Sequence, residues 1–237
     1  MTVKNKKALS IGIFLALSFW GILALIFSPV FGDGKNGLQY ADDMFNKLAK
    51  GSSYFIPKVM KSNEKFMGKN FSADIKFAKP EQAALAVKLA TAAGAHAETT
   101  NSETTISGDL GKLLSNILQD ADDMFKNQGD MISKRYGIDE KEVMNAWWNV
   151  LSNMDKALKK TGNIVEAKIA SDVMKKAVEP AYNFYKIEGQ RVSEKAGIMS
   201  GLLVFYVFYT MWWGFAIYYL FDGIGLTMKK AKVKREV

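Results

Sequence analysis

Two stretches of the chain are apolar without interruption by any charge: "ALSIGIFLALSFWGILALIFSPVF" at 8–31 and "AGIMSGLLVFYVFYTMWWGFAIYYLF" at 196–221. Each exceeds the run of about 20 apolar residues that crosses a bilayer as a helix. The pattern predicts two transmembrane helices. The first run is also longer than the apolar core of a cleaved signal peptide, so it is expected to remain as an anchor.

The polarity between them is periodic. After the turn-rich "GDGKNG", Leu38, Ala41, Phe45 and Leu48 recur at spacings of three and four, predicting an amphipathic helix that ends at Gly51. A second short helix is expected near Pro57. Strict alternation follows, with Phe71, Ala73, Ile75 and Phe77 apolar against Ser72, Asp74 and Lys76, which predicts a half-buried strand. Pro80 is placed to open an alanine-rich helix closing at Gly94. "AETTNSETTISG" then reads as two strands around an Asn101-Ser102 turn. Residues 70–108 are thus expected to form one small β-α-β-β unit.

Helical periodicity returns at Asp109, where Leu114, Leu118, Ala121, Phe125 and Ile132 line one coiled-coil-like seam. Asp139 and Glu142 form a capping box for a helix whose stripe is Val143, Trp147, Leu151, Met154 and Leu158. Lys159, Lys160 and Gly162 are its stop. The helix opening at Asn163 with Glu166 meets no strong stop, so one long helix, kinked at Pro180, is expected to run on into the second apolar stretch. "ADDMF" occurs at 41–45 and 121–125, and is read as the ordinary spelling of an amphipathic turn rather than as a duplication.

Charge changes this picture by supplying orientation. The formal net charge is +8, yet residues 32–196 carry 24 basic and 22 acidic side chains. The surplus lies in Lys4, Lys6 and Lys7 at one end and Lys229, Lys230, Lys232, Lys234 and Arg235 at the other. That distribution is a topology signal and argues against nucleic acid as a partner. It puts both termini in the cytoplasm of a bacterial inner membrane and the middle in the periplasm or cell exterior. The expected architecture is a mainly α membrane protein, with a cytoplasmic tail at 1–7, spans at 8–31 and 196–221, an extracytoplasmic helical domain at 32–195, and a basic tail at 222–237. Tails of this length are not expected to hold a signalling domain.

Candidate chemistry is sparse. The chain has no cysteine and one histidine, His96, expected to be structural or solvent-exposed. The acidic pairs Asp42-Asp43, Asp122-Asp123 and Asp139-Glu140 read as ordinary solvated helix faces, and "DADDMFKNQGDM" lacks the glycine and glutamate of a calcium loop. No metal, cofactor or catalytic group is expected, and the chain reads as no enzyme. Trp147 falls on a core stripe, whereas Trp148 is turned away from it and is a candidate contact anchor.

The second span carries ten aromatic residues between 201 and 221. Projected as a helix, Phe205, Phe208, Tyr209, Trp212, Phe215 and Tyr219 fall on one side, with Leu203, Val207, Thr210 and Gly214 on the other. Small residues at Ala8, Gly12 and Ala16, and at Gly197, Gly201 and Gly214, predict that the smooth faces pack together. Phe205, Phe208, Trp212 and Phe215 would then project outward, to lipid, to a partner helix or to a quinone-like ligand. The leading expectation is an accessory, scaffolding or assembly subunit of a larger membrane complex, self-association being compatible with it. The alternative is an extracytoplasmic ligand-binding or sensory module coupled to a partner through the second span.

Overall fold

The computed structural model describes residues 3–226, so the basic run from Lys229 to Arg235 lies outside the described residues. In chain order the elements are α1 (Lys6–Phe27), α2 (Gly37–Ser52), α3 (Ile56–Asn63) with a 3-10 turn at Glu64–Phe66, β1 (Asn70–Lys76), α4 (Pro80–Ala92), β2 (His96–Thr100), β3 (Glu103–Asp109), α5 (Leu110–Phe125), α6 (Gly129–Tyr136), α7 (Glu140–Lys160), α8 (Ile164–Val173), a π-helical turn at Met174–Val178, α9 (Glu179–Asn183) and α10 (Val192–Ile224). They fall into two compact units, Met1–Phe45 with Arg191–Val237, and Asn46–Gln190. The molecule is mainly helical with one small sheet, and α1 and α10 are long and apolar enough to cross a membrane.

In the Asn46–Gln190 unit, the β-α-β-β segment folds as its alternation predicts. The sheet order is β1-β3-β2, antiparallel throughout. Ala73 pairs with Ile106 and Ile75 with Thr104, and all four are buried. That face is covered by α4 and α7. The opposite face is polar and exposed, with Lys76 3.1 Å from Glu103 and the Thr105 hydroxyl donating to Asp74 at 2.7 Å. Asn101 takes φ +58° in the two-residue turn, a conformation that asparagine tolerates better than most residues.

The centre of this unit is α5, which buries Leu110, Leu113, Leu114, Ile117, Leu118, Ala121 and Met124 almost completely. Each large side chain of this kind contributes roughly 1.5–3 kcal/mol on leaving water. The α7 stripe of Val143, Trp147, Leu151, Met154 and Leu158 is equally buried. Asp139 caps α7 by accepting the backbone N–H groups of Lys141 and Glu142.

Three expectations about these helices need correction. The seam through Ile132 is not continuous: α5 stops at Phe125, Asn127 adopts φ +62°, and Ile132 packs from α6. The stripe of α2 is displaced, since Met44 and Leu48 are buried while Leu38 and Phe45 are about half exposed. No single helix joins α8 to the second apolar run. A π-helical turn widens before Pro180, α9 ends at Asn183, and residues 184–191 are not helical. Here tertiary acceptors replace helical ones: the Lys186 N–H donates to the Asn127 side chain at 2.8 Å, and the Gln190 N–H to the Lys47 carbonyl at 2.9 Å.

In the other unit, α1 and α10 form a hairpin that splits the aromatic face: Tyr209 and Trp212 turn inward to α1, while Phe205, Phe208 and Phe215 stay exposed. The Tyr209 ring stacks on Phe19 at 4.2 Å, and Trp213 packs on Phe19 at 4.6 Å. The Tyr209 hydroxyl donates to the Phe19 carbonyl at 3.1 Å and the Trp212 indole N–H to the Leu15 carbonyl at 3.2 Å. Inward rings win because the α1 backbone supplies acceptors that an apolar exterior lacks. Gly197, Gly201 and Gly214 consequently face open space. Of the predicted small residues, Ala8 and Gly12 do meet α10, and a Cβ on Gly12 would lie 2.6 Å from the Leu220 nitrogen. Ala16 is half-buried. The tight contact at the other side of this end is Gly223, where a Cβ would meet Leu9 at 2.7 Å.

Candidate functional site

The helix α7 presents one aromatic side chain inward and the next outward, as its periodicity requires. Trp147 is fully buried, whereas Trp148 is 38% exposed and forms one wall of a cleft of about 230 Å³. Met144 and Asn145 complete the α7 side, and Val178, Glu179, Tyr182 and Asn183 line the other. That second wall is built where the π-helical turn gives way to α9, so the irregular turn fixes the direction in which Glu179 and Tyr182 point. The Trp148 indole N–H donates to Glu179 at 2.8 Å, linking the two walls of the cleft. On the other flank of α7 lies a second cleft of about 170 Å³, lined by Phe77, Glu81, Gln82, Leu85, Glu142, Asn145, Ala146 and Asn149.

Trp147, the inward neighbour of Trp148, reaches a buried polar hub that sequence reasoning missed. Asp120 is completely buried and accepts from the Tyr136 hydroxyl at 2.8 Å, from the Trp147 indole at 2.8 Å and from Arg135. Burial pushes the Asp120 carboxyl above its usual range, while these donors pull it back. Burial, followed by the charge of Asp120, likewise pushes the Tyr136 phenol up. The pair expected to be solvated is not: Asp122 and Asp123 are both buried. Asp122 accepts from Tyr54 and Lys126, each at 2.6 Å, and Asp123 from Arg135 at 3.0 Å and Gln119 at 2.8 Å. A signal was present, since Leu113, Ile117, Asp120 and Met124 share one helix face at spacings of four, three and four.

A second polar knot forms where the chain enters and leaves this unit. Lys50 is buried and donates to the Asn127 side chain at 2.9 Å and the Ile187 carbonyl at 2.6 Å, beneath the Phe125 ring. Burial holds the Lys50 ammonium below its usual value, with the nearby Glu188 acting in opposition. Glu140, at the start of α7, accepts from Ser133 at 2.7 Å and Tyr185 at 2.8 Å. Those bonds, Ser133's foremost, hold its carboxyl down at about 2. Burial and then Glu140 itself raise the Tyr185 phenol to about 12. These bonds brace α7 and the ends of the unit against one another.

His96 is exposed, 3.1 Å from Glu98. Among the described residues, no three side chains converge as metal ligands. On α10, Phe205, Phe208 and Phe215 remain exposed on the hairpin surface, whereas Trp212 is turned to α1 and Trp148 belongs to the separate cleft on α7. No protein family, curated protein or solved structure gives a significant match to this chain.

Proposed function

We propose that this protein is a non-enzymatic accessory subunit of a larger membrane protein complex. In this reading α1 and α10 span a bacterial cytoplasmic membrane and the Asn46–Gln190 unit stands outside the cytoplasm. Lys4, Lys6 and Lys7 support that orientation. The Asn5 side chain donates to Asp222 at 3.0 Å, tying the first residues of α1 to the end of α10, so these two ends share one side of any membrane the hairpin crosses.

The observation that carries the reading is the surface left over by the hairpin. Its inner face has its rings stacked and its polar atoms partnered, yet Phe205, Phe208 and Phe215, with Tyr206 and Leu203, still project outward. Large outward rings offer packing anchors to another protein's helices. The second reading, a ligand-binding module, is favoured by the Trp148 cleft. Any signal it sent toward α10 would pass through the non-helical residues 184–191.

The test is co-purification from native membranes in mild detergent, comparing wild type with a variant carrying Phe205→Leu, Phe208→Leu and Phe215→Leu. Leucine keeps the segment insertable. Recovery of partner proteins should fall about tenfold or more, with the chain itself recovered at wild-type yield. Unchanged recovery of every partner would assign the rings to lipid and remove this support.

A further inference from the structure

The two clefts share one wall and one sign of charge. Asn145 lines both, with Met144 and Trp148 facing the first and Glu142, Ala146 and Asn149 the second. Glu179 in the first cleft, and Glu81 and Glu142 in the second, are the charged groups that line them; no lysine, arginine or histidine does. This occurs in a protein with 32 basic residues, whose other carboxylates are repeatedly bridged by lysine or arginine. Among the described residues, none of the three glutamates has an ion-pair partner. Glu81 and Glu142 lie in the first turns of α4 and α7, at helix ends whose dipole complements an anion. Glu179 is held by the Trp148 indole.

We propose that the clefts together bind a short extended segment of a partner protein that inserts basic side chains, lysine or arginine, on either flank of α7. Met144 and Val178 in one cleft, and Phe77 and Leu85 in the other, provide apolar floor for the aliphatic stems. Trp148 and Tyr182 add rings that attract an ammonium or guanidinium group, and Glu179 neutralises it. The carboxylates do not converge closely enough to hold a metal ion. Each cleft, at about 230 and 170 Å³, is smaller than a usual small-molecule pocket of roughly 300–1,000 Å³. Two such recesses sharing the Asn145 wall suit alternate side chains of an extended segment, which point to one face, rather than one compact ligand. The proposal rests on the accessory-subunit reading, and names the chemistry by which that subunit would recognise a partner outside the membrane.

The experiment uses the full chain in lipid nanodiscs, following the indole N–H resonance of Trp148, assigned with Trp148→Phe. Three probes are titrated: an acetylated, amidated hexapeptide with two lysines, its norleucine counterpart, and spermidine. The lysine peptide should shift the Trp148 signal and bind at least about tenfold tighter than the norleucine peptide, with affinity falling as salt is raised. Glu179→Gln, which keeps an acceptor for the indole, and Glu81→Gln with Glu142→Gln should each weaken binding several-fold, with the melting temperature lowered by no more than about 5 °C. Equal binding of the norleucine peptide, or no Trp148 shift at about 10 mM lysine peptide, would overturn the proposal. Spermidine binding as tightly as the peptide would overturn it too, reassigning the clefts to free amines. Partners that still co-purify while the peptides fail would leave the accessory-subunit reading intact and remove only this inference. Peptide binding by a chain that recovers no partner would do the reverse.

Discussion

Ile75 and Lys76 are neighbours on β1 that meet opposite surroundings, one under α7 and the other in water. Aspartate at Ile75 would bury an unpaired charge and should cost about 3 kcal/mol or more of unfolding free energy. The same change at Lys76 breaks only an exposed ion pair and should cost less than about 1 kcal/mol. Chemical denaturation of both variants measures the contrast, and equal losses would mean the strand assignment or its facing is wrong. Glu140 carries a pH dependence of known sign. Its carboxyl is lowered from 4.5 to about 2, so its bonds to Ser133 and Tyr185 stabilise the fold fully above pH 4.5. That contribution should fade as pH falls through about 2. Melting of wild type against Glu140→Gln should therefore differ near neutrality and converge in acid. A gap as large at pH 2 as at pH 7 would reject the assignment.

At the scale of elements, the hairpin shows why small residues and packing faces are different things. On α1, Ala8, Gly12, Leu15, Phe19, Ile22 and Ile26 recur at alternating spacings of four and three, all wholly or partly buried. Small residues matter where the backbones come close, at Gly12 on α1 and Gly223 on α10. Gly12→Leu should destabilise the hairpin by about 1–3 kcal/mol through overpacking, whereas Gly201→Leu, with open space around it, should be tolerated. Thermal unfolding in detergent, read from the fluorescence of Trp20, Trp212 and Trp213, distinguishes them. A Gly201→Leu variant as damaged as Gly12→Leu would point to a contact made by that face with another chain.

For the whole molecule, the division into two units makes a separable prediction. The continuous core runs from Ile56 to Ala181 and draws on no residue of α1 or α10. A fragment of residues 46–190 should therefore be soluble and unfold in one cooperative transition. Urea denaturation followed by near-UV circular dichroism tests this, and a fragment lacking fixed tertiary signal would show that the hairpin completes the fold. Reporter fusions at residue 120 should be active outside the cytoplasm, and fusions at either terminus inside it. A cytoplasmic signal at residue 120 would reverse the proposed orientation.

Local pattern alone determined the elements whose neighbours are covered by simple rules. Alternation placed β1, the Asn101-Ser102 turn placed the β2–β3 hairpin, Asp139 placed the start of α7, and uncharged length placed α1 and α10. Period and length are properties of a segment by itself, so they can be read one segment at a time. Only the tertiary structure decided where polar groups found their partners. Asp120 is buried because Arg135, Tyr136 and Trp147 converge on it from other helices. The chain leaves helical form after Asn183 because Asn127 and Lys47 offer acceptors there. Tyr209 and Trp212 turn toward α1 because its carbonyls lie within reach. A hydrogen bond between residues distant in sequence leaves no period in either segment, and the clefts beside α7 arise in the same way, from helices that meet only in the folded chain.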